Sequence, residues 1–180
     1  VLYVKKDGDN TEKVLIDPNL FSEDGTVSLA TVSPSKDGRY VAYAISEGGS
    51  DWREVFIRDV ETGTDLADHL KWVKFSGFSW DQNGLYYNRY EAPTEGAELS
   101  QSNTNQKVYY HKLNTTQDSD LLVHEDPEHP QQNFGIEVDE TTNWLLLSAS
   151  QSTKGNTLSI SPISKKGAWL VADDSFESTS

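Results

Sequence analysis

The sequence predicts an all-β chain built from a recurring sheet unit, and three observations carry the prediction. Short runs rich in β-branched and aromatic residues recur, each bounded by turn residues. No segment repeats apolar residues at the spacing of an amphipathic helix. The turn in front of each strongly apolar run also returns in similar form.

Taken in order, 1–4 (Val-Leu-Tyr-Val) and 14–16 (Val-Leu-Ile) read as strands, with Asp7-Gly8-Asp9-Asn10 between them as a hairpin turn in an acidic surface. Ser33-Pro34-Ser35-Lys36-Asp37-Gly38-Arg39-Tyr40 then leads into a strand over 40–45, followed by 55–60. Ser79-Trp80-Asp81-Gln82-Asn83-Gly84-Leu85-Tyr86 leads into 85–90, 108–113 and 121–123. A degenerate copy, Asp139-Glu140-Thr141-Thr142-Asn143-Trp144, leads into 144–147, 158–163 and 169–171. The Asp-Gly and Asn-Gly pairs at 37–38 and 83–84 favour the positive-φ conformations of tight hairpin turns.

The spacing of these turns identifies the unit. Gly84 follows Gly38 by 46 residues, within the roughly 40–50 of a four-stranded propeller blade. Thr142 follows Gly84 by 58, and the surplus falls in 93–106, where Ala97 and Leu99 are the only apolar residues apart from Pro93, the mark of a polar inserted loop. Runs such as 40–45 and 144–147 are apolar at successive positions, so both strand faces should be buried, as in blades stacked about an axis; a sandwich strand with one wet face would alternate.

The expected fold is thus part of a β-propeller: about three four-stranded antiparallel blades plus flanking strands. The divisions are a partial blade over 1–36, then blades over 37–74, 75–132 (with the 93–106 insertion) and 133–180. Because propellers close at roughly four to eight blades and unpaired strand edges template other chains, a piece made alone is expected to self-associate through its terminal blades.

Composition narrows the function. Fifteen Lys and Arg stand against 29 Asp and Glu, a net charge of −14, the wrong sign for phosphate neutralisation. Neither nucleic acid nor an anionic membrane is an expected partner. The absence of Cys removes thiol nucleophiles, disulfides and Cys-ligated zinc. No apolar run approaches the ~18 residues of a membrane span. The chain has no Met, and its first residues read as mid-strand, so Val1 is not the expected natural start.

Six ordered strings go further: Asp17-Pro18-Asn19, Ser22-Glu23-Asp24-Gly25-Thr26-Val27-Ser28-Leu29, Ser46-Glu47-Gly48-Gly49-Ser50-Asp51-Trp52, Arg58-Asp59-Val60-Glu61-Thr62-Gly63, Trp72-Val73-Lys74-Phe75-Ser76-Gly77, and Asn105-Gln106-Lys107-Val108-Tyr109-Tyr110-His111. In this order and spacing, over about residues 2–158, the chain resembles the propeller domain of prolyl oligopeptidases, serine peptidases that cut short peptides after proline. The resemblance implies a seven-bladed propeller capping an α/β-hydrolase domain that holds a Ser, Asp, His triad. It also implies a filtering role, in which the propeller admits small unfolded peptides and keeps folded proteins from the triad.

That hydrolase domain, short peptides and no cofactor are the implied partners, in a cytoplasmic or alternatively periplasmic setting. The resemblance carries three substrate-binding positions to this chain, all in the pocket for the third residue on the amino side of the cut bond. Phe75 matches the family's aromatic wall residue. Asn133 stands where a relative has an apolar residue and Thr153 near where one has Cys, departures that count against an apolar pocket. Loop 93–106 matches a variable family loop facing the hydrolase domain, and is expected to belong to the substrate gate.

Other constellations carry less. A nucleophile elbow needs Gly-x-Ser-x-Gly; Ser50 is followed by Asp51-Trp52 and reads as a turn residue, with Asp51 expected buried beside Trp52. His124 and His129 are five residues apart across Pro127, the wrong spacing and context for a helical zinc site. Asp7 to Thr11 lacks the Gly and closing Glu of a calcium loop. Asn114-Thr115-Thr116 is a glycosylation sequon in form, relevant only in a eukaryotic secretory setting. No metal site is expected. The sequence therefore supports two readings: the filtering propeller of a prolyl-specific serine endopeptidase, or a non-catalytic propeller that binds proteins on its face.

Overall fold

The computed structural model describes residues 1–94, 96, 102–139, 141–151 and 155–175. The chain forms two compact units, Val1–Lys71 and Trp72–Ser180.

The first unit opens with a hairpin, β1 (Leu2–Val4) against β2 (Lys13–Ile16). An antiparallel meander follows, β3 (Val27–Pro34), β4 (Tyr40–Glu47), β5 (Arg53–Asp59) and β6 (Asp65–Val73), whose last two residues belong to the second unit. Val41, Ala42, Tyr43 and Ala44 are buried in succession, the two-faced burial read from the apolar run. One face of β4 takes the hairpin, with Leu15 and Ile16 packed on Val41 and Tyr43. Arg58 fastens the arrangement. It is paired in bidentate fashion with Asp65 (2.7 and 2.9 Å), donates to the Leu15 carbonyl (2.5 Å), and lies over the Tyr43 ring. Burial, with Asp65 beside it, pushes the Tyr43 hydroxyl up to about 12.

The second unit holds two four-stranded sheets. In one, β8 (Gly84–Arg89), β9 (Lys107–Lys112) and β10 (Leu121–His124) form a meander, with the short β7 (Ser79–Trp80) pairing the start of β8 and Val73 pairing its end. The other runs β11 (Asn133–Asp139), β12 (Trp144–Ser150), β13 (Thr157–Pro162), β14 (Leu170–Asp173) in order. They pack face to face: Tyr86, Val108 and Val123 meet Phe134, Val138, Leu145, Leu147 and Ala149. Each large side chain so buried contributes about 1.5–3 kcal/mol. Within the first sheet, the fully buried His111 and Asp120 side chains pair at 2.7 Å, and the Tyr87 hydroxyl donates to the second Asp120 oxygen at 2.7 Å. A charge inside a protein needs partners of this kind.

Side-chain oxygens organise the repeated turns: Ser35 Oγ accepts from Tyr40 N across the first, whereas Asp81 and Asp139 accept from the backbone N–H two residues on, Asn83 and Thr141 respectively. Gly38 has φ +70, as its Asp-Gly context suggests, and Asn143 takes the left-handed conformation in the degenerate copy (φ 59).

Gly84 departs from the expectation, being outside the left-handed region. It is glycine because a Cβ there would overlap the His111 carbonyl oxygen.

Other expectations are also corrected. β3, β6, β7 and β11 were not legible as strands: β3 and β11 alternate apolar with Ser, Thr, Gly or acidic residues, β7 is two residues long, and β6 carries Asp65, Asp68, His69 and Lys71. In β12 the apolar run alternates in burial, with Leu145 and Leu147 in the core and Trp144 and Leu146 half-buried, because only one face of this sheet meets the other sheet of its unit. Asp51 is exposed rather than buried; the turn is organised by Ser50, whose hydroxyl accepts from Trp52 N (3.1 Å) and whose carbonyl accepts from Ser46 Oγ (2.5 Å). Of loop 93–106, residues 95 and 97–101 lie outside the described residues, and the rest contains no strand. Among the described residues no helix is long and apolar enough to cross a membrane.

Gly84→Ala is expected to lower stability by about 1–3 kcal/mol through backbone overlap, more than Gly38→Ala, where space is open and only the positive φ opposes the methyl group; chemical denaturation of both variants checks the order. His124 packs edge-on against Phe134 and Trp169, and burial drives its pKa below 6.5 against the opposing pull of Asp126 and Glu125. The native state thus binds this proton less readily than the unfolded chain. Its stabilising share is present above pH 6.5 and lost as pH falls, so between pH 7.5 and 5 His124→Leu should lose less stability than the parent sequence.

Candidate functional site

The end of β6 and the link to β7 contain two bulky residues in left-handed backbone conformations, Trp72 (φ 60) in the strand and Phe75 (φ 51) in the link. For side chains of this size such geometry costs on the order of 1–3 kcal/mol each and persists only where the surroundings over-determine it. Here hydrogen bonds hold the segment from both sides. The Trp72 carbonyl accepts from Tyr90 N (3.0 Å). The Lys74 and Phe75 carbonyls both accept from Gln106 Nε2 (3.2 and 3.3 Å). Ser76 Oγ accepts from Asn88 N (2.8 Å) and donates to the Gly77 carbonyl (2.6 Å). The Phe75 ring is consequently held out, 54% exposed, with the Lys74 ammonium 5.3 Å from its centre.

Asn133 opens β11, half-buried, opposite Ser150. Its side-chain oxygen accepts from the Tyr90 hydroxyl (2.8 Å), which burial pushes up to about 12 and so keeps a donor at any ordinary pH. The next residue, Phe134, donates its N–H to Gln106 Oε1 (2.7 Å) and accepts at its carbonyl from Asn88 Nδ2 (2.6 Å). Asn88 Nδ2 also donates to Gln106 Oε1 (3.1 Å). The two expected wall residues, Phe75 and Asn133, therefore sit on segments joined through one buried amide cluster. Thr153 lies outside the described residues.

Gln106 and Asn88, each 1% exposed, were missed as site-forming residues. Gln106 reads in sequence as the last residue of a polar loop. Asn88 offered a signal: an amide inside the apolar run 85–90 must find buried partners. Beside Gln106 lies a cavity of about 270 Å³ lined by Glu91, Asn105, Gln106, Lys107, Glu125, Asp126 and Pro127. Lys107 bridges Glu91 (2.9 Å) and Glu125 (3.3 Å), and holds the Glu91 carboxyl below its usual range.

The other candidates are placed elsewhere. His124 packs against rings, whereas His129 pairs with Asp126 at 2.8 Å in the following turn. Among the described residues no three His, Asp or Glu side chains converge as a metal site. The Asp7 segment is a turn closed by Asp9 N to the Lys6 carbonyl (3.0 Å). An exposed aromatic ring on a hydrogen-bonded backbone can recognise an apolar group.

Antiparallel four-stranded meanders, two of them packed face to face, place the chain in the β-propeller class. The family profile described as the prolyl oligopeptidase N-terminal β-propeller domain matches residues 1–178, and the chain belongs to that family. It is 43% identical to a prolyl endopeptidase of Elizabethkingia meningoseptica, over 99% of this chain and 25% of that protein, and 35% identical to prolyl oligopeptidase A of Amanita bisporigera, over 84% and 22%.

Among solved structures, a prolyl endopeptidase superposes with a TM-score of 0.80 at 35% identity, covering 91% of this chain and 23% of that one. Prolyl oligopeptidase B of Galerina marginata, bound to a 35-residue hydrolysis and macrocyclisation substrate, does so at 0.80 and 30%, covering 91% and 25%. The chain spans about a quarter of the length of these relatives.

Proposed function

We propose that the chain is part of the gating and substrate-filtering propeller of a serine endopeptidase that cleaves short peptides after proline. The observation that carries the reading is Phe75: a strained backbone, tied through Gln106 to the segment that carries Asn133, holds its side chain toward solvent in a chain of the prolyl oligopeptidase family. Phe75, Asn133 and Thr153 form the propeller's side of the pocket for the third residue before the cut bond, and loop 93–106 belongs to the substrate gate. The chemistry resides in an α/β-hydrolase partner region, where Ser attacks the carbonyl after proline and His, oriented by Asp, takes its proton. This chain contains no Gly-x-Ser-x-Gly string.

The blade divisions at 36/37, 74/75 and 132/133 belong to the same proposal; segment 1–36 then lends β3 to the sheet of the following blade. Large apolar residues are exposed on the terminal elements, Tyr3 and Val14 on the opening hairpin and Leu170 and Val171 on β14, which supports self-association of the chain when it is made alone.

In the natural full-length protein, Phe75→Ala should raise KM about tenfold for a proline peptide long enough to reach Phe75, an effect absent with a substrate one residue too short; the fold-change corresponds to losing most of one buried ring contact. No cleavage after proline, or equal effects on both substrates, would favour the protein-binding reading. Small-angle scattering of the 180-residue chain should show a mass that grows with concentration, and a constant monomer mass would refute self-association.

A further inference from the structure

We infer that Gln106 is the positioning residue of the substrate-facing wall: its side-chain amide holds Phe75 and Asn133 in one arrangement by bridging the segments that carry them. The inference rests on the wall reading above and adds the residue that sets its geometry.

The bonding capacity of a primary amide makes the case. Gln106 Oε1 accepts two hydrogen bonds, from Phe134 N (2.7 Å) and Asn88 Nδ2 (3.1 Å). Gln106 Nε2 donates to the Lys74 and Phe75 carbonyls. The Tyr90 hydroxyl in turn donates to Asn133. One side chain thus uses both its donor and its acceptor capacity, and its partners flank the two proposed wall residues on the chain.

The need for such a clasp is visible at Phe75. Left-handed backbone at a phenylalanine is unfavourable in itself, and the carbonyls that Gln106 grips lie immediately before the strained residue and on it. Without that grip, 74–75 can relax toward ordinary dihedrals and swing the ring away. A merely cohesive core residue would bring together apolar surfaces. Gln106 instead commits buried polar groups, costly unless all are satisfied, to two backbone segments, 74–75 and 134, and to the Asn88 amide.

The test uses the natural full-length protein with Phe75→Ala, Gln106→Met and the double variant. Gln106→Met should raise KM for the longer proline peptide about tenfold, with kcat changed less than about twofold and the effect fading with the shorter substrate. The double variant should fall clearly short of the product of the two single effects, because much of what Gln106 does is done through Phe75. Multiplying effects, or a loss confined to kcat, would overturn the inference.

If Phe75→Ala itself leaves KM unchanged, the wall reading fails. The clasp is then judged by hydrogen exchange in the 180-residue chain, where the Phe134 amide should exchange about tenfold faster in Gln106→Met while that of Val41 in β4 is unmoved. Should Gln106→Met fail to fold, Gln106→Glu serves for the same readouts, keeping the length and the acceptor atoms but not the donors. Failure of both to fold would make Gln106 a folding residue and reject the assignment.

Discussion

Pressing one antiparallel sheet onto another leaves no room for an unmatched polar group, and the second unit is organised by that constraint. Its two sheets meet through Tyr86, Val108 and Val123 on one side and Phe134, Val138, Leu145 and Leu147 on the other. Where backbone of one layer reaches the other at Phe134, amides fill the gap: Asn88 takes its carbonyl and Gln106 its N–H. Ser79 Oγ serves Val138 N in the same way, at 2.8 Å. The apolar contacts supply most of the free energy, and these directional bonds set the register, because an unsatisfied buried group costs about 1–3 kcal/mol.

The site inherits its rigidity from that interface. Phe75 projects from a short link, yet the link has little freedom: the buried Gln106 and Asn88 hold it, and Tyr90 holds Trp72 just before it. Binding residues carried on loops fixed by a rigid scaffold are a common solution; here the fixing groups come from the residue before β9, from β8 and from the residue that follows β8. Strain at Trp72 and Phe75 is tolerated because several independent hydrogen bonds would have to be lost together.

Cations do structural work in this acidic chain. Arg58 lies against Tyr43 and Asp65, Lys166 lies over the Tyr110 ring (4.5 Å) and 3.7 Å from Asp81, and Arg89 sits over Tyr109 (4.1 Å). With 15 basic residues against 29 acidic ones, several of the few cations are placed against rings and carboxylates.

The class of fold was legible from local chemistry. Asp-Gly and Asn-Gly turns at a blade-length interval, and runs such as Val41 to Ala44, need no knowledge of distant residues, because turn dihedrals and strand propensity are set over a few positions. Strands whose partners complete them were not legible: β11 alternates Phe134, Ile136 and Val138 with Gly and acids, and β6 holds Asp68 in its buried row. Motif likeness pointed to Phe75 and Asn133 one at a time. Gln106 and Asn88 escaped notice as site residues since a polar side chain reveals its role only when its partners, 12 to 46 positions away along the chain, are brought within hydrogen-bond reach. Sequence alone determined the all-β repeat, the acidic character and the family likeness, all consequences of short-range pattern. Tertiary structure alone decided why Gly84 has no side chain, which face of β12 is dry and how Phe75 is held, because each depends on atoms that only the packed sheets place together.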